Sequence, residues 1–246
     1  MTVEKQCMSL NEKVAVVTGA TGALGRVVVK MLLSQGARVV STYRTEESKK
    51  ELAEYVGKDS ALLTCLQADV TDESSVQALF QNVTAQYGRV DILLNIAGAF
   101  RAGSDLASMK ESDWDFMMDV NLRSAFLCSR ATLQLMVKQN YGRIVSISSR
   151  AAVEKRFRIK SGAYAISKMG IIVLTETIAE EFKKYDINAN CVIPSTIDTP
   201  DNRRSMPDAD FSKWVKPDEV AKAVLFLVSD DSKAVSGASI PVYGKA

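Results

Sequence analysis

In the stretch SGAYAISKMG a tyrosine and a lysine stand four residues apart, at Tyr164 and Lys168. Four helical residues at about 100° each bring the chain almost back to the same face, so phenol and ammonium lie one above the other. An unperturbed phenol, with a pKa of about 10, is a poor base at neutral pH, and an ammonium beside it favours phenolate. Alone, the pair also reads as an aromatic with a solvated neighbour, and the rest of the chain has to decide. The chain contains no histidine, which removes Ser-His-Asp and Cys-His catalysis and every histidine-containing metal site. Cys7, Cys65, Cys128 and Cys191 show no CxxC spacing and suit reduced thiols, and no metal site is expected. Proton transfer therefore falls to Tyr, Lys, Asp, Glu or water.

Around this pair, Val/Ile/Leu-rich runs alternate with segments of helical period. KVAVVTG from Lys13 is followed by a helix over 23–35 that Gly36 stops. RVVSTY, a charged helix through Glu51, the strand ALLTCLQAD and a helix over 72–87 ending before Gly88 come next. DILLNIAG, a long helix over 112–140, RIVSISS, a helix over 162–184, INANCVIP, a helix over 218–228 and SIPVY complete the series. The alternation predicts an α/β fold with a doubly wound, mostly parallel sheet and helices on both faces, of the Rossmann type. No linker interrupts it, so residues 1–246 read as one domain holding both cofactor and substrate sites. Residues 97–111, 149–161 and 195–216 are irregular, and each follows the carboxyl end of a strand, where ligands of open parallel sheets bind.

Composition narrows the classes. The formal charge is +2, from 31 basic and 29 acidic residues, so no global field points to nucleic acid. The longest apolar runs, such as AVLFLV from Ala223, fall short of the roughly 20 residues that span a bilayer. The opening MTVEKQCMSLNEK lacks an apolar leader core, and a cytoplasmic address is expected. Between the first strand and first helix, VVTGATGALGR places glycines at Gly19, Gly22 and Gly25. That context suits a dinucleotide turn, in which backbone N–H groups approach a pyrophosphate at a helix N-terminus.

TGATGALG, Asp69-Val70, NIAG at 95–98, Asn121, the serines of ISS and Y-x-x-x-K at Tyr164 and Lys168 together resemble the short-chain dehydrogenase/reductase family. They occur in the family's order over nearly the whole chain. One departure stands out: the usual second glycine falls on Ala23, and Gly22 precedes it. The resemblance implies that Tyr164 is the general acid for a carbonyl oxygen, or the base in the reverse direction. It implies that Lys168 also holds the nicotinamide ribose, that Ser149 holds the substrate oxygen, and that Asn121 binds a water relaying protons to the lysine. It further implies a cofactor site built from Gly19, Thr21, Gly22, Ala23, Leu24, Gly25, Tyr43, Arg44, Asp69, Val70, Asn95, Ala97, Gly98, Tyr164, Lys168, Pro194, Ile197 and Thr199. In that site, Thr199 and the backbone of Ile197 meet the nicotinamide carboxamide.

Cofactor preference is argued at the end of the second strand. NAD-binding versions place an acid there for the ribose 2′-hydroxyl, whereas this chain has Tyr43 and then Arg44. A planar cation suits a 2′-phosphate, which favours NADP(H) over NAD(H); the other reading is a surface arginine answered by Glu46 and Glu47. Arg150, Lys155, Arg156, Arg158 and Lys160 precede the tyrosine with one glutamate among them. They suit an anionic substrate or a solvated basic loop. IDTPDNRRSMPDADFSKW, over 197–214, is similar to a stretch of dihydropteridine reductases. The expectation is an NADP(H)-dependent oxidoreductase of a small-molecule carbonyl or alcohol, a ketone or 3-oxoacyl compound. The alternatives are a pterin reductase and a non-catalytic nucleotide-binding regulator or scaffold. Family resemblance also implies a homo-oligomer, dimer or tetramer, with apolar rows around Phe126 and Ile171 to build it.

Overall fold

The computed structural model describes residues 9–245. Cys7 and the rest of the first eight residues of the opening MTVEKQCMSLNEK lie outside the described residues. Seven parallel strands form one sheet: β1 (Val14–Thr18), β2 (Arg38–Tyr43), β3 (Leu63–Gln67), β4 (Ile92–Asn95), β5 (Tyr141–Ile147), β6 (Asp186–Pro194) and β7 (Ser239–Val242), in the order β3-β2-β1-β4-β5-β6-β7. The order reverses between β1 and β4, which is the switch point where such sheets bind ligands. Every residue of β1 and β4 is buried, as a sheet covered on both faces requires.

Alternation along the strands sends side chains to two cores. Ala15, Val17, Val39, Ile92 and Leu94 pack on α1 (Ala23–Ser34) and α9 (Pro217–Val228), through residues such as Val28, Leu32 and Val224. Val14, Val16, Val40 and Leu93 pack on α3 (Glu73–Tyr87) and α5 (Ser124–Gln139), through Phe80, Val83, Leu127 and Met136. α2 (Glu46–Val56) runs one turn beyond its expected charged part because Leu52 and Val56 are buried.

The long helix expected over 112–140 is interrupted. It consists of α4 (Glu111–Met118), a widened π-helical turn (Asp119–Arg123) and α5, ended by Asn140 at φ 52°. Two of the irregular segments contain short helices, α6 (Arg150–Val153) and α8 (Pro200–Ser205). α7 (Gly162–Glu181) stops three residues early and is the one described helix long and apolar enough to cross a membrane, but half of it is buried in this fold. Ile171 belongs to that buried part, against Ala125, Cys191 and Ile193, so it is not available for an interface. The exposed apolar row on α7 is Ile166, Met169 and Val173.

Candidate active site

Strand register brings the site together. Thr18, Asn95, Ser146 and Cys191 are paired neighbours across β1, β4, β5 and β6, so the loops beyond them open on one edge of the sheet. The Thr18 hydroxyl accepts from the N–H groups of Ile96 and Ala97, both at 3.2 Å, and ties the NIAG turn to the glycine turn. A Cβ on Gly19, whose φ is 65°, would stand 2.6 Å from Ala97 N, and one on Gly25 would stand 2.1 Å from Gly19 O. Only glycine allows this close packing.

Gly22 is the N-cap of α1, and Ala23 is its first helical residue. No side chain caps this end and its first turn has no acid. The backbone N–H groups around Ala23 and Leu24 thus keep the positive end of the helix open to an anion, as a dinucleotide pyrophosphate requires. Thr21 O accepts from Arg26 at 3.3 Å on the flank of the turn.

Lys168 is 5% exposed and its Nζ donates to Ile147 O at 2.9 Å. A Cβ added to Gly98 would lie 3.1 Å from that Nζ and 2.8 Å from Asn121 Oδ1, which places lysine and asparagine together beside the same glycine. Asn121 sits in the π turn, 1% exposed, and its amide exchanges two hydrogen bonds with Ala99, accepting from N at 3.0 Å and donating to O at 3.1 Å. Side chain and loop together occupy the interruption of the helix, which explains the break in regular backbone.

Ser149 caps α6, its Oγ accepting from Ala151 N at 3.3 Å, and its hydroxyl also stands against the Tyr164 phenol. Desolvation raises the Tyr164 pKa above its ordinary value and Ser149 opposes the rise. The expected lowering by Lys168 is therefore corrected: burial dominates, and the ammonium is directed to Ile147 O. Desolvation pushes Lys168 down to about 8, with the Cys191 sulfur opposing. Phe100 was not singled out from the sequence. Its ring, 64% exposed, stands edge to face with Tyr164 at 4.9 Å between centroids. An aromatic just after NIAG was the available signal.

The remaining cofactor candidates spread around the same edge. Tyr43 is buried at the end of β2 and donates to Glu46 Oε1 at 2.6 Å, while Arg44 is exposed with no ion pair among the described residues. Glu46 thus answers Tyr43 and Lys49, not Arg44. Asp69 Oδ1 accepts from Thr71 N at 2.9 Å and leaves Val70 half-buried beside it. The Asn95 amide donates to Ser129 at 3.1 Å and Ser146 at 3.2 Å, fastening β4 to β5 and α5 rather than pointing to the loop edge. Pro194 ends β6. Thr199 caps α8 by accepting from Asn202 N at 3.2 Å, and Ile197 O accepts from Asn202 Nδ2 at 2.8 Å, so that loop is braced by its own side chains.

The basic segment is largely self-satisfied. Arg150 and Arg156 both pair with Glu154, at 2.5 and 3.0 Å, and Arg158 donates to Ala151 O and Ala152 O. Lys155, Arg158 and Lys160 make no ion pair among the described residues, and of these three Arg158 alone is held, by backbone carbonyls. A cleft of ≈370 Å³ beside Lys160 is lined by Leu106, Gly162, Ala165, Ile166 and Met169. Neither Tyr164 nor Lys168 lines this cleft.

A glycine turn on a helix N-terminus at the switch point of a parallel sheet, with a tyrosine and a lysine beside it, defines a nicotinamide-dependent oxidoreductase. The chain belongs to the short-chain dehydrogenase/reductase family, whose short chain dehydrogenase model matches residues 13–210. The 3-oxoacyl-(acyl-carrier-protein) reductase FabG of Salmonella typhimurium is 32% identical to it, over 96% of this chain and 98% of that one. A (2S)-((R)-hydroxy(phenyl)methyl)succinyl-CoA dehydrogenase subunit, BbsD of Thauera aromatica, is also 32% identical, over 96% and 97%. Among solved structures, ElxO with NADP bound superposes with a TM-score of 0.88 at 27% identity, covering 94% of this chain and 97% of that one.

Proposed function

We propose that the protein is an NADPH-dependent reductase of ketones, with a 3-oxoacyl thioester or similar compound as substrate. The observation that carries this reading is the convergence of Ser149, Tyr164, Lys168 and Asn121 on the loop edge beside the glycine turn. When bound, the nicotinamide supplies hydride to the carbonyl carbon. Ser149 holds the carbonyl oxygen, and Tyr164, kept protonated at neutral pH by desolvation, gives its proton to that oxygen. Lys168 holds the ribose and returns a proton to the phenol, with Asn121 and the loop at Ala99 shaping its access to water. Gly19, Gly22 and Gly25 admit the pyrophosphate to the α1 N-terminus, and Arg44 takes the 2′-phosphate.

Two relatives whose names specify acyl thioesters, FabG and BbsD, support the substrate class, and the NADP in ElxO supports the cofactor. A cytoplasmic enzyme working as a dimer or tetramer completes the reading, with Ile166, Met169 and Val173 on α7 as the apolar row for assembly. The test is a substrate panel with NADPH: an acetoacetyl thioester, a neutral diketone and a quinonoid dihydropterin. Ketone reduction that falls in the Ser149→Ala variant is the expected result. Preference for the pterin, undiminished by that change, would overturn it. With Lys155, Arg158 and Lys160 lacking an acidic partner among the described residues of the basic segment, added salt should slow the anionic substrate modestly.

A further inference from the structure

The end of β2 holds an acid for which the cofactor reading has no use. Glu46 opens α2 and is exposed, yet its carboxylate is held from two sides. The buried Tyr43 donates to Oε1 at 2.6 Å and Lys49 donates to Oε2 at 3.0 Å. Lys49 Nζ also stands 5.1 Å from the centre of the Tyr43 ring, so the three side chains close on one another. Glu46's carboxyl is lowered first by Tyr43 and then by Lys49, which keeps it an anion facing a neutral phenol. Arg44, two residues before Glu46, pairs with neither acid that follows it.

Released from this arrangement, the Glu46 carboxylate would act against a phosphorylated nucleotide twice: it would compete for the Arg44 guanidinium and repel a dianionic phosphate nearby. We propose that Tyr43 is a specificity-determining residue for the nucleotide, holding Glu46 against Lys49 so that Arg44 stays free for a 2′-phosphate. The proposal rests on the NADP(H) reading above. Tyr43 suits the task because its buried ring fixes the hydroxyl in place, whereas Lys49 is an exposed side chain with rotamer freedom to lose. Glu47 carries the same charge one residue on and makes no hydrogen bond or ion pair with Tyr43 or Lys49. It serves as the control.

The experiment is calorimetric titration of NADP+ and NAD+ into the intact protein and into Tyr43→Phe, Tyr43→Phe/Glu46→Gln and Tyr43→Phe/Glu47→Gln. Tyr43→Phe should weaken NADP+ by about threefold to tenfold and NAD+ by less than about twofold, the scale of exposed charge interactions. Adding Glu46→Gln should restore NADP+ binding, and adding Glu47→Gln should not. Equal weakening of both nucleotides by Tyr43→Phe, or failure of Glu46→Gln to restore, would overturn the proposal and leave the NADP(H) preference of the unmodified protein standing. An unmodified protein that binds NAD+ more tightly, and loses that preference in Glu46→Gln, would overturn both the proposal and the cofactor reading.

Discussion

Burial sets the protonation of Tyr164 and Lys168 in opposite directions, one raised and the other pushed down to about 8. A neutral phenol is the form that donates a proton to a carbonyl oxygen, which favours reduction. For stability the sign follows from Lys168. Its folded pKa lies below the unfolded value of about 10.4, so between pH 8 and 10.4 the unfolded chain binds more protons, and the folded state gains as pH rises. Below pH 8 the cost of holding a buried ammonium is fully present. Urea unfolding should therefore show the unmodified protein gaining on Lys168→Met by roughly 1–3 kcal/mol between pH 7 and 10.4. A gap independent of pH would mean that the ammonium is not desolvated. The pair is legible in the sequence but the direction of the phenol is not, because four-residue spacing reports proximity and says nothing of what lies over the side chains. Phe100 on the Tyr164 ring is the same kind of omission.

Among the elements, the glycine turn separates packing from ligand approach. A Cβ at Gly25 meets the Gly19 carbonyl at 2.1 Å, backbone against backbone, whereas one at Gly22 meets it at 3.4 Å. Gly25→Ala should therefore destabilise the nucleotide-free protein by roughly 1–3 kcal/mol or more in thermal melts. Gly22→Ala should cost less than about 1 kcal/mol and lose nucleotide affinity instead. Retained affinity in Gly22→Ala would show that the pyrophosphate does not approach there. The strands were legible because a parallel sheet buried on both faces demands continuous apolar runs, as in VAVVT and ILLN. The π turn at Asn121 was not, since what breaks the helix is a pair of hydrogen bonds to Ala99, far along the chain. Nor was the inward stripe of α7: with apolar residues on several faces, periodicity cannot separate buried Ile171 from exposed Ile166 and Val173.

For the whole molecule, one edge of one sheet carries every part of the account. Thr18, Asn95, Ser146 and Cys191 form a row across four strands. From its edge β1 sends out the glycine turn, β4 the loop with Gly98 and Phe100, β5 the cap at Ser149, and α7 returns Tyr164 and Lys168 to the same place. Because the fold separates nucleotide cradle from proton donor, a change confined to the phenol hydroxyl should leave one intact and disable the other. The central claim is that Tyr164 supplies the proton, and steady-state reduction of a ketone by NADPH in Tyr164→Phe tests it most directly, with NADPH affinity measured on the same sample. The account predicts turnover lower by about 10²-fold or more with affinity unchanged; normal turnover in Tyr164→Phe would contradict it.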